Sequence, residues 1–175
     1  MPKKNFSLGI IRESRIDETR TPLIPKHVKD LQKLFPSIKI IVQPSTKRCF
    51  KDNEYLSSGA IINENINCCD LILGVKEINI SNLIHNKKYL FFSHTSKLQP
   101  DDLTATQGTP GIDKKNLLKS ILDKQITLID YENIRNKKGN RYLGFGRFAG
   151  IIGCYNSLKL YDDFLFNSKL PNAYH

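Results

Sequence analysis

The sequence lacks the features that mark membrane-spanning and secreted proteins. No apolar run approaches the roughly 20 residues that a membrane-spanning helix requires. Residues 1–5 lead straight into a strand-like run, without the apolar segment of a signal peptide. Apolar residues make up 39% of the chain and charged residues 25%, which is typical of globular proteins. We therefore expect a cytoplasmic protein.

The cysteine pattern does not indicate a metal site. The four cysteines are Cys49, Cys68, Cys69 and Cys154. None of them forms a Cys-x-x-Cys pair, and two adjacent cysteines do not have the spacing of zinc ligands. We expect reduced thiols and no bound metal.

The chain also lacks the patterns that usually accompany nucleic-acid binding. It carries 27 basic and 17 acidic residues, a formal net charge of +10. The lysines are scattered, and neither a basic stripe with interleaved aromatic residues nor a helix-turn-helix pattern is present. Because net charge alone concerns solubility and steering, an anionic substrate or cofactor explains it at least as well. Nucleic-acid binding is the less favoured alternative.

What the chain does contain is an alternation of strand-like and helix-like segments. Its 175 residues are enough for one domain with a substantial core. This alternation predicts an α/β fold with a mostly parallel sheet, to which residues 137–145 could add a small antiparallel hairpin. The predicted strands are residues 6–11, 38–43, 60–62, 71–75, 89–92, 126–129 and 141–145. The predicted helices are residues 25–35, 52–58 with Asp52 as N-cap, a segment around 117–122, and 149–167.

Two predicted strands each deliver an ionisable residue at the carboxyl end. Lys76 follows residues 71–75, and His94 comes just after residues 89–92. Ligands of open α/β sheets bind outside the carboxyl ends of the strands. A lysine and a histidine there suggest a small-molecule site with a charged anchor and a proton-transfer group. A solvated loop lysine and a structural histidine would produce the same pattern.

Six long strings carry a family resemblance, and they occur in the family's order over nearly the whole chain. They are IIRESRIDETRTPLIPKHVKDL, IVQPSTKRCFKDNEYLSSGAII, DLILGVKEINISNLI, NKKYLFFSHTSKLQ, ILDKQITLIDYENI and GNRYLGFGRFAGIIG. The chain resembles the N-terminal, substrate-side domain of the alanine dehydrogenase and transhydrogenase superfamily. Within it, the chain is most similar to lysine-forming saccharopine dehydrogenase and lysine–2-oxoglutarate reductase. The resemblance implies a Rossmann-like domain.

The resemblance also implies site residues. Lys76 is expected to contact a substrate carboxylate or carbonyl and to accept a proton, and His94 to perform acid–base catalysis. Arg20 is expected to bind a substrate carboxylate, which the guanidinium fork suits. A surface arginine paired with Asp17 or Glu18 would fit the same residues.

Three further residues stand at family positions. Arg141 is expected to help bind a second carboxylate. Glu77 is expected to support Lys76 and its loop, whereas the resemblance assigns Glu132 no role.

Two departures from the family accompany this resemblance. Ile24 replaces the usual Thr, which removes an N-cap hydroxyl ahead of Pro25. Residues 101–113 are expected to be a loop insertion that could cover, reshape or block the site. The expected layout is a substrate domain over residues 1–150, followed by an inter-domain helix and connector over residues 151–175.

The chain has little that points to a nicotinamide site of its own. Residues 144–149 fit the pattern Gly-x-Gly-x-x-Ala, but the acidic residue expected about 20 positions later has no second strand to occupy. The resemblance instead implies NAD or NADP bound by a cofactor domain that is not present in this chain. The chain is therefore expected to be a fragment, a natural truncation or half of a split enzyme, inactive alone.

The expected function is the substrate half of a saccharopine dehydrogenase-type oxidoreductase, which condenses lysine with 2-oxoglutarate or reverses that reaction. The alternatives are an alanine dehydrogenase-type substrate domain and a non-catalytic amino-acid-binding or regulatory remnant. The expected partners are a small amino or oxo acid and either a separate cofactor-domain chain or further copies of this chain.

Overall fold

The fold of the first part of the chain is a six-stranded, fully parallel sheet. A computed structural model describes residues 6–97, 113–144 and 146–167. The sheet order is β3-β2-β1-β4-β5-β6, which confirms the α/β Rossmann-like class. The strands are β1 Ser7–Ile10, β2 Lys39–Val42, β3 Ile61–Ile62, β4 Leu71–Leu73, β5 Lys88–Phe91 and β6 Thr127–Asp130. The helices are α1 Pro25–Leu34, α2 Asp52–Ser57, α3 Lys114–Asp123 and α4 Arg147–Asn167.

The strand order contains one reversal of direction. The chain proceeds outward from β1 through β2 to β3, and then returns to start β4 on the other side of β1. Backbone pairing sets this junction, where Leu8 lies opposite Leu71 and Ile10 opposite Leu73. In open parallel sheets the crevice at such a reversal is the usual ligand site.

Alternating side chains of the sheet pack into two hydrophobic clusters. Ile72 and Tyr89 belong to one cluster, which includes Leu117 of α3. Leu73 belongs to the other cluster, which includes Val28 of α1. Since successive strand residues point to opposite faces, helices cover both faces of the sheet. This explains why the strands read as nearly continuous apolar runs.

Helix α1 largely follows its predicted signals. It begins with Pro25 at the first helical position, and Ile24 makes no side-chain capping bond. The helix ends before Pro36, because the residue preceding a proline is disfavoured in helical conformation. At the C-terminal end of the predicted helix, Leu34 and Phe35 are exposed.

The predicted N-cap of α2 is wrong. Lys51 precedes the helix, and the carboxylate of Glu54 accepts a hydrogen bond of 2.6 Å from the Lys51 nitrogen. The carboxylate of Asp52 instead accepts a hydrogen bond from the Ser45 nitrogen at 3.2 Å. The side chain expected to cap the helix therefore binds a loop outside it. Gly59 closes the segment with φ +93°, a conformation that favours glycine.

Residues from Arg135 onward form a second compact unit. Arg135 and Arg141 make an isolated antiparallel bridge, but residues 142–144 form bends, so the strand predicted over residues 141–145 is wrong. Helix α4 begins two residues earlier than predicted, and many of its apolar side chains are exposed. No helix among the described residues has both the length and the hydropathy of a membrane span. The predicted domain boundary at residue 150 stays a prediction, and residues 101–112 of the expected insertion lie outside the described residues.

Candidate functional site

Three of the four predicted site residues lie beyond the carboxyl ends of the strands. Arg20 is in the loop that follows β1, Lys76 follows β4, and His94 follows β5. Because the strands are parallel, these loops share one edge of the sheet, next to the reversal between β1 and β4.

His94 lies between two carboxylates. Its Nε2 is 3.7 Å from Oε1 of Glu77, and its Nδ1 is 3.4 Å from Oε1 of Glu132. The Glu132 side chain is only 6% exposed, whereas that of His94 is 34% exposed. The ring of Phe92 stacks on the imidazole, with centroids 6.3 Å apart and planes 16° apart. Each ring nitrogen of the imidazole thus faces a carboxylate of the protein, and part of the ring is still exposed to solvent.

The backbone at His94 adopts a strained conformation. Its φ is +55°, in the left-handed region that non-glycine residues rarely occupy. The neighbouring Ser93 is fully buried, and its hydroxyl donates to the carboxylate of Asp130. The Ser93 Oγ also accepts from the Thr95 nitrogen at 3.2 Å. Strain of this kind persists where surrounding bonds hold the turn, and it is frequent at functional sites.

Asp130 forms hydrogen bonds to both the turn that contains His94 and the turn that contains Glu132. One carboxylate oxygen of Asp130 accepts from Ser93, and the other accepts from the Glu132 nitrogen at 2.8 Å. The segment Tyr131–Asn133 that holds Glu132 is a short 3-10 helix beginning directly after β6. The buried carboxylate therefore sets the positions of both His94 and the glutamate that faces its Nδ1.

Arg20 is paired within the protein. Glu18 accepts from Arg20 Nε at 2.7 Å and from a terminal guanidinium nitrogen at 2.5 Å, and it also accepts from the Arg20 backbone nitrogen at 2.9 Å. The Glu18 side chain is 6% exposed and the Arg20 side chain 41%. The hydrogen bonds from Arg20 lower the pKa of Glu18 against the opposing effect of burial. Asp17 pairs instead with Arg15.

Glu13 joins the loop after β1 to the loop after β4. Its carboxylate accepts from the Val75 nitrogen at 2.7 Å and from the Lys76 nitrogen at 3.0 Å. Burial raises the pKa of Glu13, and these two backbone bonds oppose that rise. Burial also raises the pKa of Tyr131, with a smaller contribution from the nearby charge of Glu13.

Glu13 links the surroundings of Arg20 and Lys76, because it lines the same cleft as Arg20 and accepts from the Lys76 nitrogen at 3.0 Å. Arg20 lowers the pKa of Glu18 most strongly, and the charge of Lys76 lowers it further. Glu18 and Arg20 also act on the pKa of Glu13, which binds the backbone of Lys76. The structure thus brings together two cations and two glutamates at the β1–β4 junction.

Two depressions lie near this edge of the sheet. A small cleft on the Arg20 side is lined by Glu13, Glu18 and Arg20 together with Ser45 and Arg48. A larger cavity of about 420 Å³ is lined mainly by polar side chains, among them Asn63, Asn65 and Asn67, and includes none of the predicted site residues. Glu13, Glu18 and Arg20 converge on the small cleft, whereas Lys76 and His94 do not line it. We take the cleft together with the adjoining loops after β4 and β5 as the candidate site.

The second unit contains the fourth predicted residue and the glycine-rich turn. Arg141 lies in the bridge with Arg135, within its own unit. Gly146, with φ +50°, immediately precedes α4. Residues 142–144, which precede this turn, form bends, whereas a dinucleotide fingerprint follows a strand. Within the described ranges, no group of histidine, cysteine and acidic side chains has the arrangement of a metal site.

The sequence analysis missed Glu13, Ser93 and Asp130. Glu13 comes shortly after the first predicted strand, so the rule that selected Lys76 and His94 also applies to it. Ser93 and Asp130 also directly follow predicted strands, residues 89–92 and 126–129. Their contact joins positions that are 37 residues apart, and no sequence signal predicts it.

Comparison with known proteins identifies related sequences. Residues 9–152 match the family model described as "Alanine dehydrogenase/PNT, N-terminal domain". Alpha-aminoadipic semialdehyde synthase from Mus musculus, named as mitochondrial, is 40% identical over 81% of the chain, and the Arabidopsis thaliana protein is 36% identical over 88%. The chain spans only 14% of the length of each. Because the mouse protein is named as mitochondrial, the expected cytoplasmic location stays a prediction.

Solved structures share the fold at low sequence identity. An L-alanine dehydrogenase aligns with a TM-score of 0.59 at 16% identity, covering 77% of this chain and 35% of that chain. A transhydrogenase from Sinorhizobium meliloti aligns with a TM-score of 0.56 at 16% identity, covering 75% of this chain and 36% of that chain. These two alignments support the Rossmann-like architecture.

Proposed function

The chain belongs to the alanine dehydrogenase/PNT N-terminal domain family, and we propose that it is the substrate-binding and acid–base domain of a saccharopine dehydrogenase-type oxidoreductase. In this proposal it binds lysine and 2-oxoglutarate, or their condensation product saccharopine. NAD or NADP, bound by another domain or chain, supplies the hydride.

The observation that carries this proposal is the setting of His94. A partly exposed imidazole faces one carboxylate at each ring nitrogen and lies on the same sheet edge as Lys76 and Arg20. Histidine suits proton transfer near neutral pH. The relatives support the substrate class, since alpha-aminoadipic semialdehyde synthases align at 36–40% identity and a Candida glabrata saccharopine dehydrogenase named as NAD(+)-dependent and L-lysine-forming aligns at 29%.

The chemistry that the domain must support is condensation of an amine with a 2-oxo acid. The amine attacks the carbonyl carbon, the carbonyl oxygen leaves as water, and an imine remains. In the proposal, Arg20 binds a carboxylate of the ligand, which helps to fix the position of the carbonyl carbon. The expected role of Arg141 in binding a second carboxylate stays a prediction. His94 donates the proton that the departing oxygen needs, and Lys76 accepts a proton from the nitrogen in the reverse direction.

Binding of a ligand carboxylate at Arg20 requires a change in its present pairing. Glu18 occupies two nitrogens of the guanidinium, so a ligand must either share the remaining donors or displace Glu18. The Arg20 side chain is 41% exposed, so solvent reaches part of it. We favour sharing, since it leaves the buried Glu18 carboxylate paired.

Calorimetric titration of the chain with saccharopine, 2-oxoglutarate, alanine and NADH tests this function. We expect saccharopine and 2-oxoglutarate to bind, and Arg20→Ala to weaken both by about tenfold or more. The matched control is Arg12→Ala, which removes an exposed arginine that pairs with Glu64. Binding of alanine alone would favour an alanine dehydrogenase-type domain, and NADH binding would contradict the assignment of the cofactor to another domain.

A further inference from the structure

The side chain of Glu13 continues the hydrogen bonding between β1 and β4 after the two strands end. A backbone bond of 3.0 Å joins the Ile11 nitrogen to the Leu73 oxygen. Beyond it, one carboxylate oxygen of Glu13 accepts from the Val75 nitrogen and the other from the Lys76 nitrogen. One side chain therefore holds the peptide groups on both sides of the Val75 Cα, directly before the Cα of Lys76.

The residue at position 74 leaves room for this contact. A Cβ at Gly74 would lie 3.2 Å from Cγ2 of Ile11 and 3.6 Å from Oε1 of Glu13. The first distance is tighter than ordinary van der Waals contact, so a side chain at this position would press on the segment that carries Glu13. Glycine thus permits the close approach of the two loops.

The sheet itself does not depend on this contact. Backbone pairing already holds β1 to β4 over three residue pairs, from Leu8–Leu71 to Ile10–Leu73. Glu13 also lines the small cleft that contains Arg20, while its carboxylate binds the Lys76 turn. Burying a carboxylate has a free-energy cost, and its location between two site residues suggests a functional reason for that cost.

We infer that Glu13 is the positioning residue of this site, which holds the peptide nitrogens of Val75 and Lys76 so that the Lys76 side chain faces the same ligand as Arg20. This role rests on the proposed function. A carboxylate can accept from both nitrogens at once, whereas the amide of glutamine has a single acceptor oxygen and directs its NH₂ group at the other N–H. Glu13→Gln should therefore remove one of the two hydrogen bonds to the backbone of Val75 and Lys76 while keeping the volume of the side chain.

A pH titration of the full chain, followed by NMR at the backbone amides, tests the contact without any ligand. The amide protons of Val75 and Lys76 should shift together as Glu13 is protonated, at a pH above the range of an ordinary glutamate because burial raises its pKa. Glu13→Gln should abolish this shift, and the control Glu64→Gln should retain it. If the amides of Val75 and Lys76 in the unmodified chain do not titrate together, the inference is overturned. This outcome does not depend on whether the Glu13→Gln variant folds.

A double-mutant cycle tests whether the contact positions Lys76. We expect Glu13→Gln and Lys76→Met each to weaken 2-oxoglutarate binding by about tenfold. The double variant should be little weaker than either single variant, because an unpositioned Lys76 no longer contributes. A role limited to stability would lower the midpoint of thermal unfolding but leave the two effects on binding additive, which would overturn the inference.

Arg20→Ala separates this inference from the proposed function. If Arg20→Ala abolishes 2-oxoglutarate binding while the cycle is additive, the proposed function stands and the positioning role of Glu13 fails. If the unmodified chain does not bind 2-oxoglutarate, the proposed function and the positioning role fail together.

Discussion

Replacing Glu18 by glutamine should destabilise the protein in a pH-dependent way. The Glu18 carboxylate is nearly buried and accepts three hydrogen bonds from Arg20. Hydrogen bonds to charged groups contribute about 1.5–3 kcal/mol, and the partial exposure of Arg20 reduces that figure through solvent screening. Glutamine retains one acceptor, so we expect a loss of about 1–2 kcal/mol at pH 7.

The pH dependence follows from the direction of the pKa shift. Arg20 lowers the pKa of Glu18 in the folded protein, so its contribution is fully present above the unfolded value, about 4.3, and is lost as the pH falls through the folded pKa. The stability difference between Glu18→Gln and the unmodified protein should therefore shrink as the pH is lowered from 7 to 3.

Urea denaturation followed by circular dichroism measures this difference. Glu64→Gln is the matched control, because Glu64 also binds an arginine in a bidentate manner, with distances of 2.7 and 3.0 Å to Arg12. Its side chain is 60% exposed and that of Arg12 is 43% exposed, so we expect a loss below about 1 kcal/mol. Equal losses in the two variants, or a Glu18→Gln loss that persists at acidic pH, would refute the reasoning.

Three further predictions concern the turns, the thiols and catalysis. Ser93→Ala removes the hydroxyl that donates to the buried Asp130, and we expect a loss of about 1–3 kcal/mol in urea denaturation; unchanged stability would contradict the bond. Iodoacetamide at pH 8 should label the three exposed cysteines and spare Cys69, since burial raises its pKa to about 12; labelling of Cys69 in the folded protein, detected by mass spectrometry, would contradict its burial. In an enzyme reconstituted with a cofactor half, His94→Ala or Lys76→Met should lower turnover by about tenfold or more, and near-normal rates in both would remove these residues from the mechanism.

The sheet was largely predictable because its strands are buried on both faces. Such strands read as short apolar runs, and six of the seven predicted runs correspond to β1 through β6. The run at residues 141–145 contains three apolar residues, and among its described residues it pairs at the isolated bridge of Arg141 with Arg135. A segment forms a β-strand only when another strand pairs with it, and the local pattern of apolar residues does not indicate whether such a partner exists.

Capping and site geometry depended on contacts distant in sequence. Asp52 is a favourable N-cap by type, yet its carboxylate binds the Ser45 nitrogen across a loop. Lys76 and His94 could be selected because each follows a strand. The contact of Glu13 with the Lys76 nitrogen spans 63 positions and depends on β1 and β4 being neighbours. Neither periodicity nor composition contains that information.

The most direct test of the proposed site is NMR of the histidine side chains during titration with saccharopine. Nitrogen-15 labelling of the imidazoles reports His94 and, as internal references in the same chain, His27 and His85. We expect saccharopine to shift the His94 ring signals and not those of the two references, and we expect Arg20→Ala to abolish the shift. Saccharopine binding that leaves His94 unchanged would contradict a single site formed by Arg20, Lys76 and His94.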